Sequence, residues 1–156
     1  MDKTKWAANL LKHERAVLLR PPRMGKTLFT STSEGLFDVR FKEDFDFLFK
    51  GFHAHANRLP EFNSFYVLTI TLPMNAGNMD KFEERFHAEV MSNMVNFLRD
   101  HPVILGKMEM GMNSFRRDFT GDSFSALSWI ATHVPDNKFM VLVDEYDRAP
   151  MDFLAN

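Results

Sequence analysis

The 156-residue chain contains no cysteine, so it has neither a disulfide framework nor thiolate chemistry. It has no apolar run long enough to span a bilayer, and its first residues lead into an amphipathic stretch instead of a secretory core. It also lacks a strong charge of either sign. A formal net charge of −2 argues against nucleic-acid binding by bulk charge. The expected setting is therefore intracellular, in the cytoplasm, with no membrane contact. What the chain has in quantity is 17 phenylalanines and 11 methionines, an aromatic-rich and adaptable core. Its length suits one core and one domain.

The organising stretch is Arg20-Pro21-Pro22-Arg23-Met24-Gly25-Lys26-Thr27. An apolar run at 16–19 precedes it, and an apolar-periodic segment at 27–37 follows. This order reads as strand, phosphate loop, helix. Backbone N–H groups of such a loop face a β-phosphate, Lys26 reaches the β- and γ-phosphates, and the Thr27 hydroxyl can hold Mg²⁺. The usual G-x-x-x-x-G-K-[ST] pattern has a glycine where Arg20 stands. Pro21 and Pro22 fix two φ angles and remove two donors, stiffening the approach. Arg23 suits a phosphate, an acidic neighbour or solvent.

A second signal is Phe139-Met140-Val141-Leu142-Val143-Asp144-Glu145, an apolar run ending in two adjacent carboxylates. On a buried parallel strand, Asp144 would stand near the Mg²⁺ held by Thr27, and Glu145 would polarise the attacking water. Without the first motif, the same run reads as a core strand followed by a solvated acidic turn.

Four segments together resemble the AAA-ATPase-like family, a P-loop NTPase domain often found ahead of a PD-(D/E)XK nuclease-like domain and in some Crinkler-type effectors. They are Asp2-Lys3-Thr4, the Arg20–Thr27 loop, Leu48-Phe49-Lys50-Gly51-Phe52 and Val143-Asp144-Glu145-Tyr146-Asp147-Arg148-Ala149-Pro150. Arg20 at the first position of the loop is a trait of that family. The departure is Arg148-Ala149, which adds a residue before the proline. The resemblance implies ATP and Mg²⁺ as cofactors and Lys26 and Glu145 as catalytic groups. Arg20 to Thr27 would bind nucleotide, and Thr27 and Asp144 would bind the metal. ATP is favoured over GTP through the family alone, since no guanine-reading motif is visible. Lys3 reads equally as a solvated residue at a helix start and as a nucleotide-side group.

Taken in order, residues 2–13 suggest a short helix with Trp6, Leu10 and Leu11 on one face. Residues 27–37 suggest a helix packing through Leu28, Ser31 and Gly35, although 30–33 are poor helix formers. Phe41, Phe45, Leu48 and Phe49 form a core stripe. His53 with His55, and His87 with Glu89, have metal-pair spacing without a third ligand; surface histidines are the default. Residues 65–72 form the strongest strand. Residues 79–99 form an amphipathic helix with Phe82, Phe86, Val90, Met94 and Phe97 on its buried face, ended by His101-Pro102. Residues 103–120 have no clear period, beyond a short buried run at 103–105. Arg116-Arg117 is either a solvated pair beside Asp118 or an arginine source for a γ-phosphate. Asp122 or Ser123 can cap a helix through Thr132 with Phe124, Leu127, Ile130 and Ala131 inward.

The expected fold is α/β: a P-loop NTPase-like parallel sheet with covering helices and three legible strands, at 16–19, 65–72 and 139–143. It is expected to be incomplete, the N-terminal portion of a single AAA-ATPase-like domain spanning 1–156. The function that follows is Mg-ATP binding with hydrolysis near background. The alternative is a non-catalytic interaction or effector protein derived from such a domain, in which case the nucleus or a host cell becomes the setting. An open sheet edge would favour self-association or a protein partner. A nucleic-acid site would need Arg20, Arg23, Arg116 and Arg117 in one patch.

Overall fold

The computed structural model describes residues 2–17, 25–72 and 79–146. By its contacts the chain divides into two compact units, Met1–Val67 and Leu68–Asn156.

The first unit is built from short helices. Helix α1 (Thr4–Ala8) continues into a 3-10 turn at Asn9–Lys12. Helix α2 (Lys26–Phe37) follows, then a 3-10 turn at Val39–Phe41, α3 (Phe45–Phe49) and α4 (His53–Ala56). Strand β1 (Tyr66–Thr71) begins here. Helix α1 packs on α2 and α4, and α3 packs on both α2 and α4. Phe37, Phe45, Phe49 and Phe62 fill the core, with Phe45 5.2 Å from Phe49 and 5.9 Å from Phe62 between ring centres.

Helix α2 forms through a run of hydroxyl residues that disfavour helix by competing for backbone bonds. Here the competition is turned inward. The side chains of Thr30, Ser31, Thr32 and Ser33 donate to the carbonyls of Lys26, Thr27, Leu28 and Phe29, at 3.2, 3.0, 2.6 and 2.9 Å. Its buried face is Phe29, Ser33, Leu36 and Phe37. The expected face of Leu28, Ser31 and Gly35 is therefore corrected: Leu28 is exposed, and it is the ring of Phe49 that meets Gly35. Helix α1 departs from expectation in the same way. It buries Thr4 and Ala7, while Trp6 is exposed.

At the end of α2 the chain runs beside the start of β1. Asp38 and Phe65 form a parallel bridge, with Phe65 N–H on the Phe37 carbonyl at 3.0 Å and Val39 N–H on the Phe65 carbonyl at 2.9 Å. The fully buried Asp38 carboxylate accepts from the Arg40 backbone at 2.8 Å, the Arg40 guanidinium at 3.0 Å and the Val67 N–H at 3.4 Å. Burial alone would lower the Arg40 pKa, but its bonds to Asp38 and Glu34 outweigh that and raise it.

The second unit is organised by α5 (Met79–Asp100), which packs on α6 (Pro102–Lys107), α7 (Met112–Asp118) and α8 (Ser123–His133). Val90, Met94 and Phe97 of α5 are buried as the period required, together with Val95 and Leu98, whereas Phe82 and Phe86 of the expected face are only half-buried. The buried His101 closes this helix by donating from Nδ1 to the Phe97 carbonyl at 2.9 Å. Asp122 caps α8 by accepting the Ser125 N–H at 3.0 Å. The inward face of α8 is Ser123, Ala126 and Ile130, and Phe124 is exposed, correcting the expected set. Segment 103–105 forms part of α6, where Ile104 is buried and Val103 exposed. A turn with Asp136 and Asn137 at positive φ leads into β2 (Phe139–Asp144).

Strands β1 and β2 pair in a small parallel sheet. The Leu72 N–H donates to the Asp144 carbonyl at 3.2 Å, so the carboxyl ends of the two strands lie side by side. The sheet has two strands among the described residues, not the three expected. Of the expected strand at 16–19, Ala16 and Val17 are not in a strand, and Val17 is 73% exposed, which a buried core strand would not allow. Leu18 and Leu19 lie outside the described residues.

Candidate nucleotide site

Gly25 is the residue from which the candidate phosphate loop enters α2. It adopts φ 73° and ψ 40°, the left-handed region that favours glycine, and it sits at the N-cap of a 12-residue helix. Lys26 and Thr27 are the first two helical residues, and the first intrahelical bond runs from Phe29 N–H to the Gly25 carbonyl at 3.1 Å. A helix leaves its first N–H groups without partners inside the helix, and its dipole favours an anion there. A lysine, a hydroxyl residue and a helix start together form a donor set that fits phosphate. Arg20, Pro21, Pro22, Arg23 and Met24 lie outside the described residues.

The Asp2-Lys3-Thr4 segment is tied to this loop and to α4. Lys3 Nζ donates to the Gly25 carbonyl at 2.9 Å. The Asp2 carboxylate accepts from the Thr4 N–H at 2.8 Å, from the Thr4 hydroxyl at 2.7 Å and from the His53 N–H at 2.7 Å. The Thr4 hydroxyl in turn accepts the Ala54 N–H at 3.0 Å. Burial works to raise the Asp2 pKa, but the bonds from His53 and Thr4 prevail and hold it below the ordinary carboxylate value. The sequence carried one signal of this knot: an Asp two residues ahead of a Thr is an Asx-turn pattern at a helix start.

In the second unit, Asp144 and Glu145 stand at the carboxyl end of β2, beside the end of β1. Asp144 is 6% exposed and its Oδ1 accepts the Glu145 N–H at 2.9 Å. Glu145 has φ 61°, an uncommon conformation for a residue with a side chain. A strand end of a parallel sheet is where ligands of open α/β folds collect. Asp147, Arg148, Ala149 and Pro150 lie outside the described residues.

The remaining candidates separate. His53 and His55 lie on α4 and not on a strand, and His55 Nε2 is 3.5 Å from Asp46. His87 Nδ1 is 2.8 Å from the Ser123 hydroxyl. Among the described residues no three potential ligands cluster. Arg116 and Arg117 occupy the last turn of α7, and Arg117 Nε donates to Asp118 at 3.0 Å. Arg116 also lines an open groove of about 570 Å³ with Glu83, Glu84, His87 and Met91; among the described residues it includes neither Gly25, Lys26 and Thr27 nor Asp144 and Glu145. Among the described residues no helix is long and apolar enough to cross a membrane.

A small open parallel sheet flanked by helices places the chain among α/β proteins consistent with a P-loop-like fold at low resolution. The model of the AAA-ATPase-like family, described as "Predicted AAA-ATPase", matches residues 1–156. The chain belongs to that family, and so is associated with ATPase-like domains. No curated protein and no solved structure matches the chain.

Proposed function

We propose that the chain binds Mg-ATP, with Arg20, Pro21, Pro22, Arg23, Met24, Gly25, Lys26 and Thr27 around the phosphates. The observation that supports this most is left-handed Gly25 directly before α2, which puts Lys26 and Thr27 at the helix start. Lys26 would neutralise the β- and γ-phosphates, and first-turn N–H groups would bond their oxygens. The Thr27 hydroxyl and the Asp144 carboxylate would hold Mg²⁺, directly or through its water shell. Glu145 would take up a proton from water attacking the γ-phosphate. Bound Mg-ATP supplies the phosphoanhydride bond that such a water would cleave. ATP is chosen over GTP through the family.

A second reading is nucleotide binding without turnover, in an interaction protein. The exposure of Val141 and Val143 on β2 favours it, because an apolar strand face open to solvent suits a partner or a second copy. Calorimetric titration with Mg-ATP, beside a turnover assay on the same sample, separates the two. Equal affinity of the parent and Lys26→Ala would remove the phosphate-loop assignment.

A further inference from the structure

We infer that Lys3 is a positioning residue for the phosphate loop, held in place by a knot that joins the start of α1 to the start of α4. The inference rests on the nucleotide reading above and adds a residue to it. Lys3 reaches across 22 positions of sequence to bond the Gly25 carbonyl. It also fills the space in front of the glycine: a Cβ built on Gly25 would collide with Lys3 Nζ. The loop glycine is thus constrained twice. Its positive φ favours glycine, and the lysine head occupies the volume that a side chain would need.

Among the described residues the Gly25 carbonyl accepts from Lys3 Nζ and from the Phe29 N–H that begins α2. A cation on that oxygen fixes the orientation of the peptide unit joining Gly25 to Lys26. The N–H of the same peptide unit belongs to Lys26, so fixing the carbonyl also fixes where that donor points. This is how Lys3 acts on phosphate without touching it.

Lys3 is itself held from both sides in sequence. Asp2 accepts the His53 N–H and Thr4 accepts the Ala54 N–H, so the residues flanking Lys3 are pinned to the first turn of α4. A solvated lysine at a helix start would need neither the carbonyl bond nor flanking residues with long-range partners. An ammonium bonded to a neutral carbonyl gains the strength of a charge-assisted bond.

The test uses two readouts on the full chain: Mg-ATP affinity by calorimetry, and hydrogen exchange of the 25–29 amides without nucleotide. Lys3→Met is expected to weaken Mg-ATP about tenfold or more, the scale of one bond to a charged group. It is also expected to speed exchange across 25–29, with Lys3→Arg recovering most of both. If the methionine variant is less stable overall, Lys3→Gln is read in the same way.

Faster exchange with unchanged affinity would reduce Lys3 to a structural tie and overturn the inference. Lost affinity with unchanged exchange would mean direct phosphate contact, and would overturn it as well. If the parent binds Mg-ATP, Lys26→Ala does not, and Lys3→Met matches the parent in both readouts, the inference alone fails. If the parent does not bind, the nucleotide reading fails and the positioning role goes with it.

Discussion

Thr4 Oγ1 accepts the backbone N–H of Ala54 at 3.0 Å across 50 positions of sequence, while donating to Asp2 at 2.7 Å. Thr4 and Ala54 are both buried, so the hydroxyl satisfies a donor that water does not reach. Thr4→Val keeps the shape and removes both bonds. It should lower stability by about 1–3 kcal/mol, the cost of an unsatisfied buried group. Chemical denaturation reads the loss, and an unchanged midpoint would show that the Ala54 N–H finds another acceptor.

Asp2 links the same knot to pH. Its folded pKa lies below the ordinary 3.8, because the His53 and Thr4 bonds overcome the effect of burial. Its stabilising contribution is therefore fully present above 3.8 and is lost as pH falls through the folded value. Asp2→Asn should flatten the acid limb of a stability-versus-pH curve, leaving the neutral region lower throughout. A variant with the parent's acid limb would rule out the Asp2 contribution.

Gly25→Ala should destabilise by about 1–2 kcal/mol from the left-handed backbone alone. The new methyl would also push the Lys3 ammonium off the Gly25 carbonyl. Lysine is flexible, so the steric part is relieved by that movement, and the loss appears in Mg-ATP affinity as well as in the unfolding midpoint. Retained affinity in a destabilised variant would show that the loop binds without this contact.

Asp38 and Glu34 both pair with Arg40, at 3.0 and 2.6 Å, but only Asp38 is fully buried. Distance alone would rank Glu34 first; burial reverses the order. Asp38→Ala should cost about 3 kcal/mol, at the low end for a broken buried pair because Arg40 is partly exposed and can turn to solvent. Glu34→Ala should cost under about 1 kcal/mol, as for a solvated pair. Equal losses by denaturation would show that the two bonds share one environment.

Asp144 and Glu145 are adjacent but should fail differently. Asp144→Ala should weaken Mg²⁺-dependent nucleotide binding. Glu145→Gln should bind normally and lose whatever hydrolysis the parent shows. Glu145 holds a left-handed conformation that glutamine can also adopt, so this change tests the carboxylate alone. Equal loss of binding in both, with loss of helix content by circular dichroism, would make the pair structural.

The elements legible in the sequence were those whose signal is local. Strand β1 is a run of β-branched and aromatic residues, and α5 repeats its apolar residues at three and four. The start of α2 was legible within one residue because an apolar-periodic segment follows Gly25-Lys26-Thr27 directly. Segment 103–120 was unreadable because α6 and α7 are too short to show a period, and each buries a single residue, Ile104 or Phe115.

The sequence by itself determined the family and the type of most long elements, because these are carried by residue patterns along the chain. Tertiary structure decided which face of each helix is buried. Trp6, Leu28 and Phe124 are apolar yet exposed, while the smaller Ala7, Ser33 and Ala126 face inward. Small residues let one helix approach another closely, and that preference depends on a neighbour the local pattern does not contain. Tertiary structure also decided the place of Lys3. The sequence left a solvated lysine and a nucleotide-side lysine equally open. The bond to Gly25 sets the lysine beside the start of α2, because only the folded chain brings that carbonyl within reach.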